Sequence, residues 1–558
     1  MRSFLEISVR IKAASDHLVV QAIGGSHVVL LGWDFPSERC DGLLGFALHR
    51  TDHAEQEAGW LRGLKTFEET DPGFLPGSSY STRDHPVQSF LWADYAAKPG
   101  RLYTYRVVAL KGSPAALQPV AETAVEVRTE SPEGGFNDVH FNRGVAASQE
   151  YARRFGNRKP SDVGRPAFDW LSRGLFEAMT DFVAACGSGD ALLICAYEFH
   201  HAPFLAVLKA AVDRGVELTV IYDHRDKDFP GPVNEATAGV AGIADRCIAR
   251  RSMKSAISHN KFMIRVRAGA PEAVWTGGTN FSEGGIFGQS NVGEVVEDAV
   301  IATQYFEYWM LLAEDPANAA LKPRVDALSP VPAGKPPVGN SVIFSPRGSL
   351  DVLGWYAELA REAEHGLFMT FAFGMNDLFK EVYRRGRAPL RFAVMEKASG
   401  PKRTAEAREA EEEQIRRLRF EEANLFAIGS HLTSARFDGW LKEKLTGLNS
   451  HVRYIHNKFM LIDPLSDDPI VVGGSANFSV ASTRDNDENM LITRGNTRVA
   501  DIYLGEFMRM YSHHAFREFA QSRREPNPKL KSLRVDDWWT KHFGNTSQSR
   551  RRTYFAGT

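Results

Sequence analysis

The 558-residue sequence predicts a multidomain chain: an N-terminal all-β sandwich followed by two similar α/β halves that share one site between them. Three observations predict it. Residues 1–132 hold short strand-like runs separated by Gly, Pro, Ser and Asp. From residue 133 a β-α-β pattern occurs twice. Each occurrence ends in the same polar signature, His-Asn-Lys followed by a Gly-Gly turn and Asn-Phe-Ser.

In the first domain, strand-like runs cover 28–35, 43–49, 102–110 and 123–128. The alternation Tyr103-Thr104-Tyr105-Arg106-Val107-Val108 and the early Trp33 imply a sandwich with Trp in its core, and in these features the domain resembles a fibronectin type III module. It reads as a structural or partner-binding module; its long polar insert, 55–85, offers a recognition loop. Residues 131–159, with Pro132-Glu133-Gly134-Gly135, read as a linker into the first half, 133–330. There, helical spacing over 166–185 and 202–214 alternates with apolar runs at 191–197 and 216–222, a pattern for a buried parallel sheet. Residues 316–346, rich in Pro and Gly, connect to the second half, 331–525. Here 352–364, 365–373, 377–386 and 389–394 repeat helix, strand, helix and strand. The tail, 526–558, interleaves Lys529, Lys531, Arg534, Trp538, Trp539, Lys541 and Arg550-Arg551-Arg552. Such a segment either grips a nucleic-acid backbone or an anionic membrane, or packs its Trp pair and leaves a disordered end.

The second signature runs His456-Asn457-Lys458-Phe459-Met460-Leu461-Ile462-Asp463, then Gly473-Gly474-Ser475-Ala476-Asn477. The first runs His259-Asn260-Lys261-Phe262-Met263-Ile264-Arg265-Val266, then Gly277-Gly278-Thr279-Asn280. Side chains alternate faces along a strand, so His259 and Lys261 point one way, as do His456 and Lys458, while the Gly-Gly turns deliver Asn280 and Asn477 beside them. Asp463 falls on the opposite face, a supporting position. Neutral imidazole is a nucleophile, and Lys and Asn donate hydrogen bonds to anionic oxygen. A phosphodiester exchange through a covalent intermediate needs two imidazoles, one to attack phosphorus and one to move the proton. Two copies face to face supply both, with the Lys and Asn pairs stabilising charge on five-coordinate phosphorus.

The His-x-Lys-x(4)-Asp element with its trailing Gly-Gly/Ser-x-Asn resembles the phospholipase D superfamily across 133–525. The resemblance implies a metal-independent phosphodiesterase that needs no cofactor and works through a phosphohistidine, with the site complete in one chain. It makes Asn486-Asp487-Glu488-Asn489 the acidic element whose Glu holds the catalytic His, so Glu488 is expected to orient His456. The first copy departs from the pattern twice. Val266 replaces Asp, and Asn291-Val292-Gly293-Glu294 has its Glu one place late, which leaves Glu294 as the candidate partner of His259.

A net charge of −2 argues against a histone-like partner but not against a local basic groove. The four Cys (Cys40, Cys186, Cys195 and Cys247) show no metal-ligand spacing and read as free thiols. Arg2, Glu6, Arg10 and Lys12 break any signal-peptide core, so a cytoplasmic protein is expected. The charge run 403–422 reads as a solvated helix, His200-His201 either as phosphate contacts or as surface loop residues where the cleft opens, and His513-His514 as structural. The cytoplasmic expectation and the basic aromatic tail favour nucleic acid as the substrate over phospholipid. The alternatives are a phospholipase D acting on membrane lipids, for which the loop 284–288 offers little apolar rim, and a silent phosphate-binding scaffold whose sandwich recruits a protein partner.

Overall fold

The computed structural model describes residues 9–73, 78–144, 149–156, 158–225, 228–253, 256–400, 404–429, 454–521 and 532–558. Arg2, Glu6, Arg403, Lys529 and Lys531 lie outside them. The N-terminal unit has two four-stranded sheets. One runs Arg10–Ser15, Leu18–Gly24, Val29–Asp34, Leu91–Asp94; the other runs Ala116–Arg128, Leu102–Ser113, Gly45–Asp52, Glu57–Trp60. Alternation along Leu102–Ser113 turns Tyr103, Tyr105 and Val107 inward, where they meet Leu18, Val20, Leu31 and Trp33 in one core. The strands Arg10–Ser15 and Leu18–Gly24 are additions to what the sequence predicts. The first is polar because it is an edge strand, so its pattern carries little hydrophobic signal.

Each later half is built on a seven-stranded sheet, and the two have the same strand order. The first runs Asn137–Phe141, Val292–Val296, Ala270–Gly277, Lys261–Arg267, Ala191–Ala196, Glu217–Asp223, Cys247–Arg250. The second runs Gly339–Ser345, Glu488–Arg494, Ile470–Gly474, Phe459–Ile462, Leu367–Phe371, Arg391–Met395, Asn424–Ile428. Only the last three strands of each are parallel; the signature hairpin and the edge strand join antiparallel, so the sheets are mixed, not the parallel sheets the β-α-β pattern predicts. Two predicted connections also change character. The linker 131–159 supplies the edge strand Asn137–Phe141, and the connector 316–346 supplies the helix Asn318–Leu328 and the edge strand Gly339–Ser345. The helix predicted over 166–185 is two, Arg165–Ser172 and Leu175–Ala184, broken where Arg173 (φ 51°) and Gly174 (φ 93°) turn left-handed.

The halves interlock through these edge strands. Val139 and Phe141 share a core with Phe459, Leu461 and the helix Thr497–Gln521, while Val342 and Phe344 share one with Phe262, Ile264 and the helix Ala299–Ala313. The Trp pair of the tail packs, as the second of its predicted readings has it, but the chain beyond forms the helix Ser547–Ala556 and not a disordered end. Trp538 is buried in the N-terminal core and its indole Nε1 donates to the Leu43 carbonyl at 2.7 Å. The helix Ser547–Ala556 then places Phe555 in the core of the second half and pairs Arg552 with Asp34. No helix among the described residues is long and apolar enough to cross a membrane.

Candidate active site

His259 and His456 each stand just ahead of a central strand, and the backbone there is laced to the opposite half. His259 N–H donates to the Asp487 carbonyl at 2.9 Å and Asp487 N–H to Ile257 at 3.1 Å; His456 N–H donates to Ser290 at 3.3 Å and Ser290 N–H to Tyr454 at 2.8 Å. This exchange decides which side chain orients which imidazole. Glu488 Oε2 lies 2.8 Å from His259 Nδ1, and Asn291 Oδ1 lies 3.0 Å from His456 Nδ1. Glu488 therefore serves His259, not His456 as the motif implies, and Glu294 is not the partner of His259. Glu294 lies in the core, bound to the Tyr503 hydroxyl, with its carboxyl pushed up to about 7 by burial. The group that takes the acidic position in the first copy is Asn291. A signal for it exists in the sequence: Asn291 is eleven residues beyond Asn280, as Glu488 is eleven beyond Asn477.

Alternation places Lys261 and Lys458 on the face of their histidines. Lys458 Nζ donates to the His456 carbonyl at 2.6 Å, and Lys261 Nζ makes the same bond to His259. All four side chains are buried. Burial pushes the Lys261 ammonium down to about 8, and burial together with Lys261 holds Lys458 well below its ordinary value. Burial, then the two lysines, hold both imidazoles well below 6.5, and burial raises the Glu488 carboxyl to about 7. A bound anion would favour the charged forms of these lysines and imidazoles that burial disfavours. Asn280 and Asn477 each keep a buried carboxamide oxygen without a hydrogen-bond partner, and Asn477 shares a cavity with Glu488. Asp463 touches none of this. Its carboxylate accepts N–H bonds from Glu364 (2.9 Å), His365 (2.6 Å) and Gly366 (2.9 Å), fixing the turn into the strand Leu367–Phe371.

Several site residues lie outside the sequence prediction. The Tyr197 ring packs 4.9 Å from the His259 ring and 5.2 Å from the Lys261 ammonium. Behind the His259–Glu488 pair, Asn489 Nδ2 donates to Asn260 Oδ1 at 2.8 Å, and Thr276 and Tyr305 both donate to Asn489 Oδ1, at 2.7 and 2.9 Å. Arg250, fully buried, donates to Asp487 at 2.9 Å and Asp315 at 2.8 Å. No group of three or more His, Cys, Asp or Glu is placed to hold a metal ion among the described residues.

Residues 185–310 and 430–511, the stretches that carry both signatures, match the model of the family described as "Cardiolipin synthase, PLD-like domain". No curated protein matches the sequence. Among solved structures the chain is similar to phosphatidylserine synthase from Haemophilus influenzae Rd KW20, at 12% identity and TM-score 0.42, covering 62% of this chain and 85% of that one. It is also similar to Nuc, a phospholipase D family member from Salmonella typhimurium, at 18% identity and TM-score 0.23, covering 31% and 95%. For polyphosphate kinase from Porphyromonas gingivalis the values are 11% identity, TM-score 0.36 and 58% of this chain, which spans just under half, 46%, of that protein's length.

Proposed function

We propose that this chain, a member of the phospholipase D superfamily, is a phosphodiesterase in which His259 is the nucleophile and His456 the general acid and base. The observation that carries this is the unequal backing of the two imidazoles: a carboxylate behind His259, a neutral carboxamide behind His456.

With Nδ1–H donated to Glu488, the lone pair of His259 Nε2 faces the substrate. When Nε2 bonds to phosphorus the imidazole gains positive charge, which the carboxylate stabilises. His456 has only neutral acceptors, the Asn291 amide oxygen and the Gly278 backbone. Its protonated form, which the bound phosphodiester anion favours over the empty site, is therefore the stronger acid and gives its Nε2 proton to the departing ester oxygen as the P–O bond breaks. In the second step water attacks phosphorus, its proton passes to His456 Nε2, and the P–N bond breaks to restore His259. Lys261, Lys458, Asn280 and Asn477 hold the phosphoryl oxygens, and the anion restores the charge that burial takes from the lysines.

Nucleic acid is the substrate in this reading, in a cytoplasmic setting. Phe229 (49% exposed) and Phe373 (44% exposed), each on a loop beyond a parallel strand of its half, offer rings for base stacking. The matched family's description favours a phospholipid diester as the second reading. The mechanism is tested by mixing the His456→Ala variant with a labelled oligonucleotide or phosphatidylglycerol vesicles and mapping the trapped adduct by mass spectrometry. Label on His259 is expected; label on His456 in the His259→Ala variant run in parallel, or none with any diester in either protein, would sink it.

A further inference from the structure

The site contains a carboxylate that the two-histidine chemistry does not use. Glu198 follows Tyr197 at the end of the strand Ala191–Ala196, and its backbone carbonyl accepts from Phe281 N–H at 3.1 Å, next to Asn280. Its side chain accepts from the Ser282 hydroxyl and stands 3.9 Å from His200 Nε2. The position is reachable, with 20% of the side chain exposed. Its charge is felt by both Lys261 and Lys458. The second half has no counterpart. The strand pairing of the second half ends with Met369 opposite Met460; carried two residues further it sets Phe371 against Lys458 as Ala196 pairs with Lys261, and Phe373 then falls at the place of Glu198.

An acid beside two phosphate-binding lysines weakens anion binding unless the substrate gives it something in return. A carboxylate has about four acceptor positions, and Ser282 uses one. An ammonium group is the poorer candidate for the rest, because the Lys261 ammonium already occupies the Tyr197 ring and two lysines stand nearby. A neutral hydroxyl fits. On a nucleic acid the hydroxyl adjacent to a phosphodiester is the ribose 2′-OH.

We infer that Glu198, held by Ser282, accepts a hydrogen bond from a hydroxyl next to the scissile phosphate, which makes the substrate a ribose phosphodiester. This rests on the phosphodiesterase reading above and assigns Glu198 as a specificity residue. The test compares kcat/KM for a labelled ribo-oligonucleotide and its 2′-deoxy counterpart of the same sequence, in wild type, Glu198→Gln and Glu198→Ala. Wild type is expected to favour the ribo strand roughly ten- to hundredfold, the range of one hydrogen bond to a charged group. The ratio should fall toward one in Glu198→Ala, with Glu198→Gln between. Because the readout is a ratio within each protein, a general loss of activity cancels. If Glu198→Ala is inactive, or if wild type cleaves neither strand, the affinities of the two oligonucleotides for His259→Ala and for His259→Ala with Glu198→Ala decide the question in the same way. A wild-type ratio near one, a ratio that survives the substitution, or glycerol release from phosphatidylglycerol without RNA cleavage would overturn the assignment. Cleavage without discrimination would leave the phosphodiesterase reading standing.

Discussion

At the scale of single residues, the two imidazoles differ in what their Nδ1 faces: a carboxylate oxygen of Glu488 on one side, the amide oxygen of Asn291 on the other. Glu488→Gln should therefore lower kcat about a hundredfold or more, since the neutral amide can neither hold the tautomer firmly nor balance the charge on His259. Asn291→Ala removes a hydrogen bond between neutral groups and should cost only about tenfold. Steady-state kinetics on one diester checks both, and equal losses would contradict the assigned roles. The pH profile follows from the same groups. As pH rises through about 7, Glu488 loses its proton and becomes able to accept from His259, so kcat/KM climbs; above about 8 Lys261 loses its charge and kcat/KM falls. The limbs belong to the coupled cluster, but Lys261→Arg should move only the alkaline limb upward, because a guanidinium stays charged there.

At the scale of elements, what was legible depended on whether the partner of a residue was local. His259, Lys261, Asn280 and their counterparts could be read because strand alternation is a local rule and the pattern occurs twice. The role of Glu488 could not, since the hydrogen bond it makes spans 229 residues and its choice of histidine is set by bridges between halves. The edge strands hidden in a linker and a connector were missed for a related reason: each pairs with a strand more than 140 residues further along the chain. The tail kept two readings in the sequence because composition cannot say whether a basic aromatic segment is solvated or packed. Trp538 fills the N-terminal core, and a Cβ on Gly32 would run into the Phe555 carbonyl, so the tail is fitted closely to that sheet. Trp538→Ala should cost roughly 3–5 kcal/mol, as for a large buried aromatic side chain. Denaturant melts would show it, and a change below about 1 kcal/mol would mean that the tail is not part of the cooperative fold.

At the scale of the whole molecule, duplication and crossing of partners make the site a property of the pair of halves. His259 takes its carboxylate from the second half and His456 its carboxamide from the first, and the buried Arg250–Asp487 pair fastens the same seam. All of these contacts are made within one chain, which makes a site complete in one copy the expectation. The consequence can be measured with two inactive proteins. In the proposed roles, His259→Ala lacks the nucleophile and keeps its acid, and His456→Ala lacks the acid and keeps its nucleophile. In an equimolar mixture an intrachain site stays broken in every molecule, and activity should remain at the level of the separate variants at any total concentration. A site assembled from halves of two chains would instead regain a complete His pair in a fraction of its dimers, and the mixture would recover activity as protein concentration rises. The buried cores that join each edge strand to the opposite half make that exchange costly, because separating the halves exposes Phe141 and Val139 on one side and Phe344 and Val342 on the other. Recovery on mixing would therefore require the seam to open and reclose between molecules.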